Sequence, residues 1–319
     1  MMKPAFLLLA LLACTACLVQ IEARPAEPQA VSPARASPRG AERPAVSFGA
    51  LADIQHADKP AAGRREYRES IQKLKACSAA LRPEKLDFVV QMGDLTDDGA
   101  DDMRAVLSLL RELPVAVRHV VGNHDLYASR DHILKRFSLP RAHYDFSVRG
   151  WRFIVLDGMH LSVGRGWPES SPNYQQGARL LEDLRQTRAV NAMEWNGAVG
   201  EEQREWLRLT LADAAARGQR AIVFCHFPVH AGSCRPEHLL WDHREVLAVL
   251  DSAPALVAYL NGHDHRGGYA ARNGVHYLTL PGMVEWDAEQ SCNMVDVYDD
   301  RIEVRRPGKP AWRTMRLHQ

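Results

Sequence analysis

Seven side chains with oxygen or nitrogen donors stand just past apolar runs in this sequence. Asp53 and Gln55 follow Val46–Leu51, and Asp94 follows residues 86–91. Asn123 follows residues 115–121, His226 follows 221–225, and His263 and His265 follow 256–260. Five strand ends that each deliver a donor to one sheet edge describe a metal site. Seven donors exceed what one divalent ion takes from a protein; they suit two ions about 3.5–4 Å apart that share a carboxylate. The set needs no thiolate, so it suits Mn²⁺, Fe²⁺, Zn²⁺ or Co²⁺. Three imidazoles argue against an all-oxygen Mg²⁺ or Ca²⁺ cage. Taken singly, each residue has a plainer reading. An aspartate after a strand is often a helix cap, and a histidine beside an apolar strand is often a hydrogen-bonded core group. The whole set outweighs those readings.

The elements that must position these residues can be read from period and punctuation. Strands at Val46–Leu51, 86–91 and 115–121 alternate with helices expected over 67–81 and 103–113, the latter two closed by Pro83 and Pro114. This strand–helix alternation implies parallel pairing with helices on the sheet faces. Tyr144–Val148 and residues 151–156, separated by Arg149-Gly150, predict an antiparallel hairpin. Residues 157–173 read as a long polar loop. Helices are expected over 180–193, 201–216 and 241–250, with strands at 221–225 and 255–260. Two further hairpins are expected, 268–272 with 275–280 around Asn273-Gly274, and 292–298 with 302–305. The expected fold is α/β: a four-layer αββα sandwich with two central mixed sheets, in one domain over 45–319.

The chain has 319 residues, 46% hydrophobic and 25% charged, with net charge +1. That is enough for one sizeable core. The basic residues are dispersed without aromatic interleaving, so no nucleic-acid polymer is expected as a partner. Lys3 precedes an apolar run over 5–19, and small residues lead to Ala23. Residues 1–23 therefore read as a signal peptide, too short for a membrane span, and the chain is expected to be exported, periplasmic or secreted. Residues 11–14 loosely resemble a lipoprotein cleavage box, so a lipid anchor at Cys14 is an alternative to a free mature chain; no transmembrane anchor is expected. Residues 24–44 are rich in Pro, Ala, Arg, Ser and Glu without periodicity, a disordered linker. Cys77, Cys225, Cys234 and Cys292 lie beyond the leader, and their three pairings stay open.

Asp53-x-Gln55, Gly93-Asp94-x-x-Asp97, Gly122-Asn123-His124-Asp125, His226 and Gly262-His263-x-His265 occur in an order that resembles the calcineurin-like metallophosphoesterase superfamily. That superfamily usually has Asp-x-His in its first block. Gln55 in its place resembles the manganese-dependent ADP-ribose/CDP-alcohol diphosphatases, as do Trp195-Asn196-Gly197-Ala198 and Trp241-x-x-Arg244-Glu245. The resemblance implies one ion on Asp53, Gln55 and His265, another on Asn123, His226 and His263, and Asp94 between them. It implies hydrolysis by a metal-activated hydroxide, with His124 at the leaving oxygen and Asp97 or Asp125 holding its ring. The implied substrate is a small nucleotide-type phosphate, cleaved at its pyrophosphate. Simple phosphodiesters and monoesters are the alternative, and a non-catalytic metal-binding protein a more distant one.

A nucleotide needs an aromatic wall for its base and donors for phosphate and ribose. Tyr127, Arg130, Trp195, Asn196 and Trp241 are the candidates, although Trp195 and Trp241 could equally anchor the core. His56 and His230 lie near ligand blocks and could touch phosphate. His238 and His243 read as surface residues, and Asp264 as a cap on its loop.

Overall fold

Two six-stranded mixed sheets stack face to face in the computed structural model, which describes residues 42–97 and 99–317. The leader, Cys14 and residues 24–41 of the linker lie outside the described residues. Strand β1 (Val46–Leu51) is buried along its whole length, as a strand covered on both faces must be. It pairs parallel with β2 (Phe88–Gln91), which pairs parallel with β3 (Val117–His119). The second sheet starts with the hairpin of β4 (Tyr144–Val148) and β5 (Trp151–Val155). Strands β6 (Arg220–Phe224) and β7 (Leu256–Asn261) continue it in parallel. The hairpin of β8 (Gly268–Arg272) and β9 (Val275–Thr279) closes it, with β9 parallel to β7. The chain then returns to the first sheet: β10 (Asn293–Val297) lies antiparallel to β1, followed by β11 (Arg301–Arg305) and β12 (Ala311–Arg316).

Alternation along the strands sends a set of aromatic rings between the sheets. Phe48 stacks on Phe88 with centroids 4.8 Å apart, and Phe153 meets Phe88 edge-on at 5.0 Å. Such rings each contribute roughly 1.5–3 kcal/mol by burial, and they hold the two strand-end edges together. Helices cover the outer faces. On the first sheet α1 (Ser70–Leu81) buries Leu74, Cys77 and Leu81, and α2 (Ala100–Arg111) buries Met103, Val106, Leu107 and Leu110. On the second, α5 (Gly200–Ala216) packs on β6 and on α6 (His243–Asp251).

Several elements differ from the sequence reading. Helix α3 (Arg130–Phe137) was not expected; Ser129 caps it by accepting the His132 N–H. Helix α4 spans Pro172–Gln186 rather than 180–193. Ser171 accepts the Tyr174 N–H at 3.1 Å and Pro172 occupies the first turn, a start signal inside the stretch read as loop. The short α7 (Ala288–Ser291) and strand β12 were also not anticipated. Of the open cysteine pairings, Cys77–Cys292 forms, Cα to Cα 5.4 Å, and Cys225 and Cys234 are free.

Candidate metal centre

The seven donors gather where the C-terminal ends of β1, β2, β3, β6 and β7 meet. On the first sheet Asp53, Gln55 and Asp94 all have left-handed backbones, with φ of 50°, 41° and 56°. Non-glycine residues rarely adopt that conformation, and where it persists the surroundings enforce it. Here the loops interlock: the Gln55 N–H donates to the Asp94 carbonyl at 2.8 Å, and the His124 N–H donates to Asp94 Oδ1 at 2.8 Å. The second sheet docks through Asp53, whose carboxylate accepts the His263 N–H at 3.0 Å. Two glycines permit the approach. A Cβ on Gly93 would sit 2.6 Å from His226 Nδ1, and one on Gly262 would sit 2.5 Å from Asp53 Oδ2.

The donor atoms converge to hydrogen-bonding distance of one another. Asp94 Oδ2 lies 3.2 Å from His226 Nε2 and 3.2 Å from Gln55 Nε2. His226 Nε2 lies 3.2 Å from His263 Nδ1, and His265 Nε2 is 3.4 Å from Asp53 Oδ1. One ligand atom from each of Asp94, His226 and His263 falls within 4.8 Å of the others. Gln55 Oε1 and Asn123 Oδ1 are buried and accept no hydrogen bond from the protein. A buried carbonyl oxygen without a donor costs about 1–3 kcal/mol. Two such oxygens, three imidazoles and two carboxylates gathered in one cluster fit divalent cations.

Each imidazole is oriented through its other nitrogen. His226 Nδ1 lies 2.7 Å from the Met92 carbonyl, which fixes the proton there and aims the Nε2 lone pair at the cluster. His265 Nδ1 meets Glu285 at 2.8 Å, and His263 Nε2 meets Asn196 Oδ1 at 2.9 Å. Burial opposes protonation of His226, but the Asp94 carboxylate outweighs it and holds that imidazole up to about 9. For His265, burial is likewise outweighed by Asp53 and Glu285, again up to about 9. Burial and the neighbouring His226 hold His263 well below the usual histidine range.

A cavity of about 350 Å³ opens over this cluster, lined also by Arg65, His124, Trp195 and His238. His124 Nδ1 is hydrogen-bonded to the backbone carbonyl of Asp97 at 3.0 Å rather than to its carboxylate, whose Oδ1 lies 3.2 Å away without a hydrogen bond and whose other oxygen pairs with Lys59. Asp97 therefore holds the His124 ring. Asp125 does not: its carboxylate accepts the backbone N–H groups of Asp94, Leu95 and Gly122 at 2.8–2.9 Å, tying the two loops together.

The substrate candidates divide. Trp195 lines the cavity and is 46% exposed. Asn196 is fully buried behind His263, so it orients a ligand rather than meeting substrate. Trp241 is a core residue whose indole N–H donates to the Met193 carbonyl. Arg130 is buried in a 2.6 Å ion pair with Asp157 and donates to the Met159 carbonyl, so its charge is already compensated. Tyr127 lines a different cleft, with Arg165 and Trp167. His56 meets the Tyr67 carbonyl and His230 stacks on Tyr277, and neither lines the cavity. His238, read as surface, does line it, and His243 is partly buried against the Leu240 carbonyl. Asp264 holds its loop as expected, accepting from the Arg235 backbone and guanidinium. Glu285 and Arg65 escaped the sequence reading. Glu285 stands 20 residues past His265 with no motif around it, and Arg65 is one of a run of charges over 64–68.

Two stacked mixed sheets that meet in a buried cluster of carboxylate, amide and imidazole donors define a metallophosphoesterase, a metal-dependent hydrolase of phosphoric esters and anhydrides. The chain belongs to the calcineurin-like phosphoesterase family, whose profile matches residues 46–267 and so takes in every donor described. It is 33% identical over 296 residues to a manganese-dependent ADP-ribose/CDP-alcohol diphosphatase of Arabidopsis thaliana, across 83% of this chain and 94% of that one. A protein of the same description from Xenopus tropicalis is 30% identical over 326 residues, across 86% and 95% of the two chains. Among solved structures, a dimetal phosphatase from Danio rerio superposes with a TM-score of 0.79 at 28% identity, covering 86% of this chain and all of that one.

Proposed function

We propose that this chain is an exported, Mn²⁺-dependent hydrolase that cleaves the pyrophosphate of nucleotide derivatives such as ADP-ribose or CDP-alcohols, releasing a nucleoside monophosphate. The observation that carries the reading is the composition of the cavity: the donor cluster, the Arg65 guanidinium and the exposed Trp195 indole line one space. A pyrophosphate with an attached base asks for those three features together. The names and near full-length match of the relatives support the same substrate class. The bound cations would supply a lowered pKa for water and positive charge for the phosphoryl oxygens.

The chain's own residues do the rest. Arg65 binds a phosphoryl oxygen; Glu285, 3.6 Å from its Nε, keeps the guanidinium near His265. His124, held at Nδ1 by Asp97, offers Nε2 to the leaving oxygen and delivers a proton there. Trp195 covers the base, with His238 beside it. Gln55 contributes a neutral amide oxygen where an imidazole is usual, which favours a harder ion such as Mn²⁺. Export is supported by the leader-like residues 1–23 and by the Cys77–Cys292 bridge, since disulfides persist in oxidising compartments.

The test is product analysis on metal-stripped protein re-supplied with Mn²⁺, using ADP-ribose, CDP-choline, a cyclic nucleotide and p-nitrophenyl mono- and diesters. Faster cleavage of ADP-ribose or CDP-choline, with AMP or CMP released, supports the reading. Preference for the simple esters would replace it with a broad phosphodiesterase or phosphomonoesterase on the same centre. Cell fractionation checks export, and a cytoplasmic protein with intact residues 1–23 refutes that part.

A further inference from the structure

A second pocket, of about 290 Å³, lies between the edge strands of the two sheets, β8 and β12, and shares no lining residue with the catalytic cavity. Three arginines line it, Arg266, Arg306 and Arg313, with three aromatic residues, Tyr269, Trp286 and Trp312, and no acidic residue. None of the three guanidiniums has a carboxylate partner among the described residues. Arg306 donates only to the Asn293 amide oxygen. Glu289, the acid whose charge reaches Arg306, pairs instead with Lys309 at 3.8 Å. The Nε of Arg313 is buried and has no hydrogen-bond partner. Three other arginines of these strands do have carboxylate partners: Arg272 with Asp251, Arg305 with Glu84 and Asp296, Arg301 with Asp300 and Glu303.

The local backbone builds this arrangement. Strand β12 pairs Arg313 with Val304 and Ala311 with Arg305, which leaves Trp312 as an extra residue in a β-bulge. A regular strand sends neighbouring side chains to opposite faces; the bulge turns both Trp312 and Arg313 into the pocket. Arg306 then lies over the Trp312 ring at 4.9 Å and Arg313 over the Tyr269 ring at 4.3 Å, so the cations are ordered by aromatic faces rather than by anions. Guanidiniums without counterions call for a bidentate anion such as a phosphate, and an exposed indole beside them calls for a flat ring.

We propose that this pocket is a second ligand site that binds a nucleoside monophosphate, its phosphate on Arg306 and Arg313 and its base against Trp312. The pocket adjoins the metal centre through Arg266, which follows His265, and Trp286, which donates to the His265 carbonyl at 2.7 Å, but it shares no lining residue with the catalytic cavity, so the site does not depend on which substrate the metal centre prefers.

The test uses AMP as probe on the full, Mn²⁺-loaded protein and on two variants, Trp312→Ala and Arg313→Gln, with equilibrium dialysis to count ligand. Trp312 is 39% exposed, so its removal leaves the fold intact. Each variant should bind one AMP fewer per chain than the parent, with turnover at the metal centre within about twofold. Adenosine and inorganic phosphate should each compete for that lost site at least tenfold more weakly than AMP. Equal AMP stoichiometry in the parent and either active variant would overturn the site. Competition by inorganic phosphate as strong as that by AMP would overturn its nucleotide character.

Discussion

The oxygen donors of the first sheet and the imidazoles of the second reach the same cluster by different means. Asp53, Gln55 and Asp94 are short side chains placed by unusual backbones, and peptide N–H groups hold the carboxylates. His226, His263 and His265 reach further. Only His263 has a positive φ, and each ring relies on an acceptor behind it: the Met92 carbonyl, Asn196 and Glu285. The difference follows from the chemistry of the donors. A carboxylate binds through either oxygen, so fixing its Cα suffices. An imidazole has one lone pair, and a second hydrogen bond must choose which nitrogen carries it. The first sheet therefore stores its precision in backbone strain, the second in hydrogen bonds from distant parts of the chain.

The largest effect should come from the residue on which both halves depend. Asp94→Asn removes the shared charge, and losing several kcal/mol of charge stabilisation lowers turnover on the order of 10³-fold or more. Elemental analysis should show less bound metal; full metal content with normal turnover would refute its place between the ions. Next is His124, which serves chemistry rather than binding. His124→Ala should lower turnover by about 10²–10⁴-fold with metal content unchanged, and loss of metal would instead make it a ligand.

The comparison between the sheets is sharpened by Glu285→Gln. An amide replaces the anion behind His265 while the backbone-held carboxylates stay in place. Affinity for one of the two ions should fall by about 10–100-fold, read by metal titration, and the other should be unaffected. An unchanged titration would mean that burial alone orients the ring.

An effect on stability alone, with none on metal binding, concerns a histidine of the first sheet that serves no ion. His119 stacks on Phe137 at 4.6 Å, its Nδ1 lies 3.2 Å from Gln91 Nε2, and burial with the nearby Arg111 lowers it to about 4. An unfolded histidine titrates near 6.5. As pH falls between those values the unfolded chain takes up a proton that the folded chain does not. Stability should therefore decline from about pH 6.5 to pH 4, by up to roughly 3 kcal/mol at 1.36 kcal/mol per unit. The check is urea unfolding of native protein and His119→Gln across that range. Parallel pH curves for the two would remove His119 as the cause.

Much of this was legible in the sequence. The apolar runs that end in Asp53, Asp94, His226 and His263 are buried strands, and a buried strand can place a polar group only at its end. Those strands and the donor positions at their ends could be read from that constraint, because each depends on residues within a few positions of one another; the order of the strands in the two sheets, with β10 beside β1 and β9 beside β7, could not. The start of α4 was also written locally, in Ser171-Pro172, and was overlooked. Glu285 was not legible, since nothing around it marks a carboxylate that will meet His265. Neither was the choice between Asp97 and Asp125 as partner of His124. Both lie within reach along the chain, and only the packing of the β2 loop on the β3 loop turns Asp125 to the backbone.

The same division separates Arg130 from Arg65. By position Arg130 follows the His124 loop and looked like a substrate contact. In the fold, helix α3 carries it onto Asp157, and its charge is satisfied. Arg65 lies among charges with no distinguishing pattern, yet the chain brings it to the cavity beside Glu285. The sequence by itself determined which donors exist and which strands end in them, because burial and side-chain chemistry are local properties. Tertiary structure decided which charges are buried in a pair and which reach the cavity. A charge is buried or presented according to what packs against it, and those partners come from the segment after β5 and from the loop that crosses between the sheets before β10.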